Sequence, residues 1–245
     1  LQNKVALVTG GAQGIGKTIG EELTRAGAHV VLGDVNLEGA QVTAEAINNN
    51  GGSASAIKID VSNATEVQQV FDFIMKDKKP VDIVVNNAGI TRDGLMLRMK
   101  EIDWDLVLDI NLKGSFLCSQ QAAKQMMKQK SGVIVNIGSA SWMIGQGGMA
   151  AYTAAKSGVV GLTRSFARDL GEYNIRVNSV VPGWTITERQ LEKWLTPESE
   201  ADMMKKQCIK KRLMPSDISK AVLFFSSDQS SGCTNQSYVV DNGWL

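Results

Sequence analysis

Histidine is nearly absent. The one residue of that type, His29, opens the strand-like stretch HVVLGD and reads as structural. A histidine-based nucleophile and a histidine-rich zinc site both lose their main ingredient, and no metal is expected. Cysteine is scarce and odd in number: Cys118, Cys208 and Cys233 lie far apart and form neither a metal pattern nor a disulfide framework. A reducing, cytoplasmic compartment fits that usage. There is no charge of one dominant sign, since 26 basic residues face 25 acidic ones. Nothing therefore points to nucleic acid or to an anionic membrane. The lysine clusters at 76 to 79 and 205 to 211 read as solvated helix ends. No run of 18 apolar residues occurs, and the chain begins directly on a strand-like segment, so neither a membrane span nor a signal peptide is expected. Proline occurs four times, with no Pro- or Ser-rich linker and no internal repeat.

What is present is a rhythm. VALVT (5 to 9), HVVLGD (29 to 34), SAIKID (55 to 60), VDIVVNN (81 to 87), GVIVNIGS (132 to 139), IRVNSVVP (175 to 182) and SYVVD (237 to 241) read as strands. Most are continuous apolar runs, as strands covered on both faces should be. Helical patterns fill 14 to 27, 37 to 50, 63 to 77, 101 to 130, 151 to 173 and 215 to 226. The alternation predicts an α/β fold: one domain over residues 1–245, a Rossmann-type doubly wound parallel sheet of about seven strands with helices on both faces. Residues 183 to 213 break the short-connection habit and read as a substrate lid.

The first strand runs into TGGAQGIG, residues 9 to 16. A glycine-rich turn between a strand and a helix is the context a dinucleotide phosphate needs. Gly10 permits the tight turn, Gly14 lets the backbone approach a pyrophosphate, and Gly16 allows close helix packing. Gln13 and Ile15 complete the turn. The helix start offers free N–H groups and a positive dipole end. Asp34 ends the second strand 24 residues after Gly10, against an expected spacing of about 20 from the fingerprint. A carboxylate there accepts both hydroxyls of an adenosine ribose and repels a 2′-phosphate. Val35 and Asn36 supply no cation, so NAD(H) is expected in preference to NADP.

Residues 151 to 158 read AYTAAKSG, with Tyr152 and Lys156 one helical turn apart. Alone, the pair is an amphipathic tyrosine and a snorkelling lysine. It does not stand alone. With Thr9-Gly10-x-x-x-Gly14-x-Gly16, Asn86-Asn87-Ala88-Gly89 after the fourth strand, and Ser139 thirteen residues before Tyr152, the chain resembles the short-chain dehydrogenases/reductases. The resemblance runs through Pro182-Gly183 to VVDNGW.

That resemblance implies a nicotinamide-dependent oxidoreductase acting on a secondary alcohol or hemiacetal carbon. Tyr152 is the implied acid/base. Lys156 is expected to lower its pKa from the usual phenol value of about 10 and to hold the nicotinamide ribose. Ser139 is expected to bond the substrate oxygen, and Asn111 in DINLKGSF to hold a water that links the lysine to solvent. Asp60 and Val61 are implied near the adenine, Asn87 and Gly89 along the ribose and phosphate path, and Pro182, Gly183, Thr185 and Thr187 at the carboxamide and phosphates. A non-enzymatic dinucleotide-binding protein on the same fold is the reading that this set argues against.

Two subfamilies compete for the substrate. NNAGITRDGLMLRM (86 to 99) resembles the 3-oxoacyl-carrier-protein reductases and their acetoacetyl-CoA relatives. SASWMIG, TERQLEKWLTPESE, QCIKKRLMPSDI and SYVVDNGW resemble bacterial aldose 1-dehydrogenases acting on xylose-type sugars. The second set surrounds the expected chemistry, so an aldose 1-dehydrogenase is the leading expectation. Trp142, Trp184 and Gln190, with Ser139 and Tyr152, would line the pocket and bond a polyhydroxylated ring. The family usually forms tetramers. Small residues along 154 to 161 permit close pairing of helices across a two-fold, in a dimer or a tetramer.

Overall fold

Seven short apolar runs can lie side by side only if both faces of the sheet they form are covered, and the segments between them are long enough to supply the cover. In the computed structural model, which describes residues 1–245, the strands are β1 (Val5–Thr9), β2 (His29–Asp34), β3 (Ser53–Lys58), β4 (Ile83–Asn86), β5 (Gly132–Ile137), β6 (Ile175–Pro182) and β7 (Ser237–Val240). All pair in parallel, in the order β3-β2-β1-β4-β5-β6-β7. Strand order reverses between β1 and β4. Connections leave that point toward opposite faces, opening a crevice beyond the carboxyl ends where such sheets take their ligands.

One face is covered by α1 (Gly14–Arg25), α2 (Leu37–Asn49) and α9 (Pro215–Ser226), through Ile19, Leu23, Ala44, Ile47, Val222 and Phe225. The other is covered by α3 (Ala64–Asp77), α5 (Gly114–Gln129) and α6 (Ala150–Leu170), through Val67, Phe71, Ile74, Ala122, Met126 and Leu170. The two apolar layers hold 21 and 19 buried residues, so neither face of the sheet is left wet. Asn63 caps α3 by accepting from the N–H groups of Thr65 and Glu66 at 3.0 and 3.3 Å. His29 joins its strand to the neighbour, its two ring nitrogens 2.8 and 3.1 Å from the hydroxyls of Ser53 and Ser55.

Three departures from the sequence expectation have physical causes. β3 begins at Ser53, two residues early, because its register is set by pairing with β2 from His29↔Ser53 onward; as a half-exposed edge strand its own pattern is weak. The helix expected over 101 to 130 is broken: α4 (Glu101–Leu108) passes into a π-helical turn at Asp109–Lys113 before α5 begins. Residues 183 to 213 contain two short helices, α7 (Glu188–Lys193) and α8 (Pro197–Lys206). Their base is closed by a bridge between Thr185 and Leu213, with Ile186 N donating to the Leu213 carbonyl at 2.8 Å. No helix is long and apolar enough to cross a membrane. The three cysteines are free, and no three histidine, cysteine or acidic side chains gather where they could hold a metal ion.

Candidate active site

The glycine turn sits at the mouth of the crevice, between β1 and α1. Gly10 and Gly14 have φ of +66° and +56°, the left-handed region that a side chain resists. At Gly16 the constraint is space: a Cβ there would lie 2.0 Å from the Gly10 carbonyl oxygen. Gln13 precedes α1 without a side-chain cap, which leaves the first-turn N–H groups to an anion. Ile15 is half-buried against the core behind the turn.

Asp34 is fixed by backbone donors, Ala12 N on one carboxylate oxygen and Asn36 N on the other, both at 3.0 Å. This ties the end of β2 to the glycine turn. The sheet register also puts Lys58 opposite Asp34, a cation that sequence spacing did not place there.

Several expected cofactor contacts turn out to be committed elsewhere. The Asn87 amide donates to the carbonyls of Thr9 and Gly10 at 2.9 and 3.1 Å, so it braces the turn and leaves only its oxygen free. Val61 is buried and packs into the core, its methyl against Gly114. Asp60 accepts from the N–H and the hydroxyl of Ser62 at 2.9 and 2.6 Å. Beyond β6, the buried Pro182 leads to Gly183, where a Cβ would meet Asp241 Cβ at 2.6 Å. Thr185 is buried and bonds the Gly183 carbonyl at 3.2 Å. Thr187 caps α7, and its methyl lies 3.5 Å from where a Gly14 side chain would begin, bringing the start of the lid onto the phosphate turn.

Ser139, Tyr152, Lys156 and Asn111 come from β5, α6 and the π-helical turn. Ser139 follows β5, half-buried, its hydroxyl 2.9 Å from that of Ser141. Lys156 is buried and donates to the Ile137 carbonyl at 2.8 Å. Its Nζ lies 5.7 Å from the centre of the Tyr152 ring. Asn111 is fully buried; its amide nitrogen donates to the carbonyls of Ile90 and Val107 at 2.8 and 2.9 Å, while its oxygen has no protein partner. That oxygen and Lys156 Nζ converge on Gly89, 2.6 and 3.5 Å from the position a Cβ would take there. Any side chain at 89 would fill the gap between them.

The electrostatics of this set differ from expectation. Burial pushes the Tyr152 phenol above its ordinary value; the Ser139 hydroxyl opposes the shift and the Asp93 charge adds to it. Burial also lowers Lys156, to about 8. The protein alone therefore does not acidify the phenol through the lysine. Desolvation disfavours the charged form of each.

Of the residues expected to greet a sugar, Trp184 and Gln190 are engaged with one another. Trp184 donates its indole N–H to Gln190 Oε1 at 2.6 Å. The Arg189 guanidinium lies over the Trp194 ring at 5.5 Å. Trp142 follows Ser139 in a short 3₁₀ turn, its indole nitrogen buried without a partner. Sequence reasoning missed the polar side chains beneath the site, Asn136, Thr163, Ser115 and Ser119, because their alignment exists only once strands and helices are in register.

A phosphate turn, an acidic residue closing β2 and a Ser-Tyr-Lys-Asn set beyond the carboxyl ends of one sheet define a nicotinamide-dependent oxidoreductase acting on a carbinol or keto carbon. The chain belongs to the short-chain dehydrogenase/reductase family. The profile described as enoyl-(acyl carrier protein) reductase matches residues 10–245. Among curated relatives, a 3-oxoacyl-(acyl-carrier-protein) reductase FabG of Staphylococcus aureus strain Mu50 is 39% identical over 241 residues, 98% of this chain and 97% of that protein. A reductase of the same name from Thermotoga maritima is 35% identical over 243 residues, covering 99% and 98%. Among solved structures, a protein of Agrobacterium tumefaciens provisionally assigned as a gluconate dehydrogenase superposes with a TM-score of 0.96 at 32% identity, covering all of this chain and 96% of that one.

Proposed function

We propose that the protein reduces the 3-keto group of a 3-oxoacyl thioester to the secondary alcohol, using NADH. The observation that carries this reading is the full-length likeness to reductases named for that reaction, at 39% identity over 98% of the chain. It displaces the aldose expectation as the leading reading. Two features of the site support it. Reduction needs a proton donor at the keto oxygen, and the protonated phenol of Tyr152 can serve as one. Gln190 Oε1 already accepts from the Trp184 indole, so that oxygen is not free to accept from a polyol's hydroxyls.

The residues present fit a dinucleotide. The left-handed Gly14 and the open first turn of α1 would take the pyrophosphate, Asp34 the adenosine ribose, and Lys156 the nicotinamide ribose. When bound, the reduced cofactor supplies the hydride. Tyr152 Oη gives its proton to the substrate oxygen, while the Ser139 hydroxyl, turned from Ser141, bonds that oxygen as charge develops. Lys156 and the free oxygen of Asn111, facing each other across Gly89, would carry a replacement proton inward through a water. A carboxylate held by two backbone N–H groups at Asp34 favours NADH over NADPH, with Lys58, paired opposite it on β3, as a cation opposing that preference.

A polyol substrate keeps one support, the structural likeness to the protein assigned as a gluconate dehydrogenase. Assaying acetoacetyl-CoA with NADH and with NADPH, beside pentoses and hexoses with NAD, separates the readings. The expected result is thioester reduction, faster with NADH. Turnover of aldoses alone would return the protein to the sugar reading, and silence on both, despite NADH binding, would favour another alcohol or a binding role.

A further inference from the structure

The sheet face beneath α5 and α6 is apolar along Leu7, Val84, Ile134 and Val177. Two residues further along three of those strands it turns polar: Asn86, Asn136 and Ser179 stand opposite one another on β4, β5 and β6. They are 3%, 1% and 0% exposed. Asn136 Nδ2 donates to Thr163 Oγ1 at 2.9 Å, and that hydroxyl donates to the Val159 carbonyl at 2.8 Å. This end of the chain of bonds lies on α6, about two turns beyond Lys156. Asn86 Nδ2 donates to Asn136 Oδ1 at 2.7 Å and to Ser119 Oγ at 2.8 Å. Ser119 stands one turn beyond Ser115 on α5, and Ser115 Oγ donates to the Asn111 carbonyl at 2.8 Å, inside the π-helical turn.

We infer that Thr163, Asn136, Asn86 and Ser119 are positioning residues, a ladder that fixes α6, with Tyr152 and Lys156, against the turn that presents Asn111. The inference rests on the proposed roles of those three. Apolar contacts are non-directional, so they fix the position of α6 along the sheet less sharply than oriented bonds do. A buried hydrogen bond has one short range of lengths and angles; a slide would unpair the Asn86 and Asn136 amide nitrogens where water cannot reach them, in a row where the Asn86 oxygen and the Ser179 hydroxyl already lack a partner. The ladder lies between the two elements that must hold their relative position for Lys156 Nζ and Asn111 Oδ1 to face each other across Gly89. Its Ser119 end lies on α5, the helix that begins directly after the π-helical turn.

Thr163→Val tests this, since valine keeps the branched shape and removes the hydroxyl. The ladder predicts that kcat falls about tenfold, as misplacement of reacting groups does, with the NADH dissociation constant within about twofold of wild type. Amide hydrogen exchange over residues 107 to 115, which lie outside the substitution's own helix on the same face of the sheet, should quicken, and Thr163→Ser should restore both quantities. Unchanged kcat, unchanged exchange over 107 to 115, or no rescue by serine would overturn the ladder. If the valine variant does not fold, Ser119→Ala removes the opposite rung and is read in the same way. The exchange measurement needs no substrate. It judges the ladder even if wild type reduces no thioester, a result that counts against the proposed activity alone.

Discussion

A buried ammonium loses hydration that a single backbone carbonyl does not replace, and Lys156 has only the Ile137 carbonyl at 2.8 Å. Its pKa falls from 10.5 to about 8 in the folded chain. Between those values the unfolded chain binds the extra proton, so the penalty is complete below pH 8 and is relieved as pH rises toward 10.5. Lys156→Met removes the group. Its stability relative to wild type should therefore be greatest near pH 7 and shrink by roughly 3 kcal/mol by pH 10.5, as a shift of this size implies; denaturant unfolding across that range measures it, and a pH-independent difference would refute the assignment. The lysine's position was legible in the sequence because a tyrosine one turn away, a serine ahead of it and a glycine turn at the start of the chain accompany it. Its charge state was not, because desolvation depends on what surrounds the group in space. The same limit applies to Asn87: its motif was visible, but only the fold shows its amide spent on Thr9 and Gly10.

Elements made of continuous apolar residues were readable almost to the residue. β1, β2 and β6 occupy 5 to 9, 29 to 34 and 175 to 182 as their composition predicts, because a buried parallel strand needs apolar residues on both faces. The π-helical turn at Asp109–Lys113 was not readable. Nothing in DINLKGSF is a helix breaker, and the turn is held by contacts from outside the segment, Asn111 to Ile90 among them. The lid's helices were hidden for a similar reason, since α7 is six residues long and shows no clear period. Within the lid, Arg212 holds Glu200 through two bonds, 2.6 and 2.8 Å, tying α8 to the returning strand-like segment before Leu213. Both partners face solvent, so Arg212→Gln should barely change the melting temperature. It should raise KM for the acyl substrate by roughly threefold to tenfold, because lid order is shared between binding and closure. A KM unchanged within error would show that the pair does not control the lid.

At the scale of the whole molecule, the helices that cover one face of the sheet leave an apolar strip of their own. A groove of about 410 Å³ is lined by Leu108, Leu112, Phe116, Gly158 and Leu162 with the Asp109–Lys113 ion pair at its edge, and Trp104, Leu106 and Phe116 on the same helices are each more than a third exposed. We propose that a second copy covers this strip in an isologous pairing of α5 and α6, as the small residues of α6 suggested. Sedimentation should find a dimer or larger assembly that Phe116→Asp shifts toward monomer; a monomeric wild type would contradict it. The fold as a whole separates two tasks. In the proposed function the glycine turn, Asp34 and the base of the 183 to 213 segment would grip a dinucleotide from one half of the crevice, and Tyr152 would move a proton in the other. The measurement that tests this division most directly compares wild type and Tyr152→Phe, titrating NADH by fluorescence and then following acetoacetyl-CoA reduction. NADH affinity within about twofold, with turnover lower by roughly 10² to 10⁴, the usual worth of a positioned proton donor, is the predicted result. Turnover that survives loss of the phenolic hydroxyl would contradict the account.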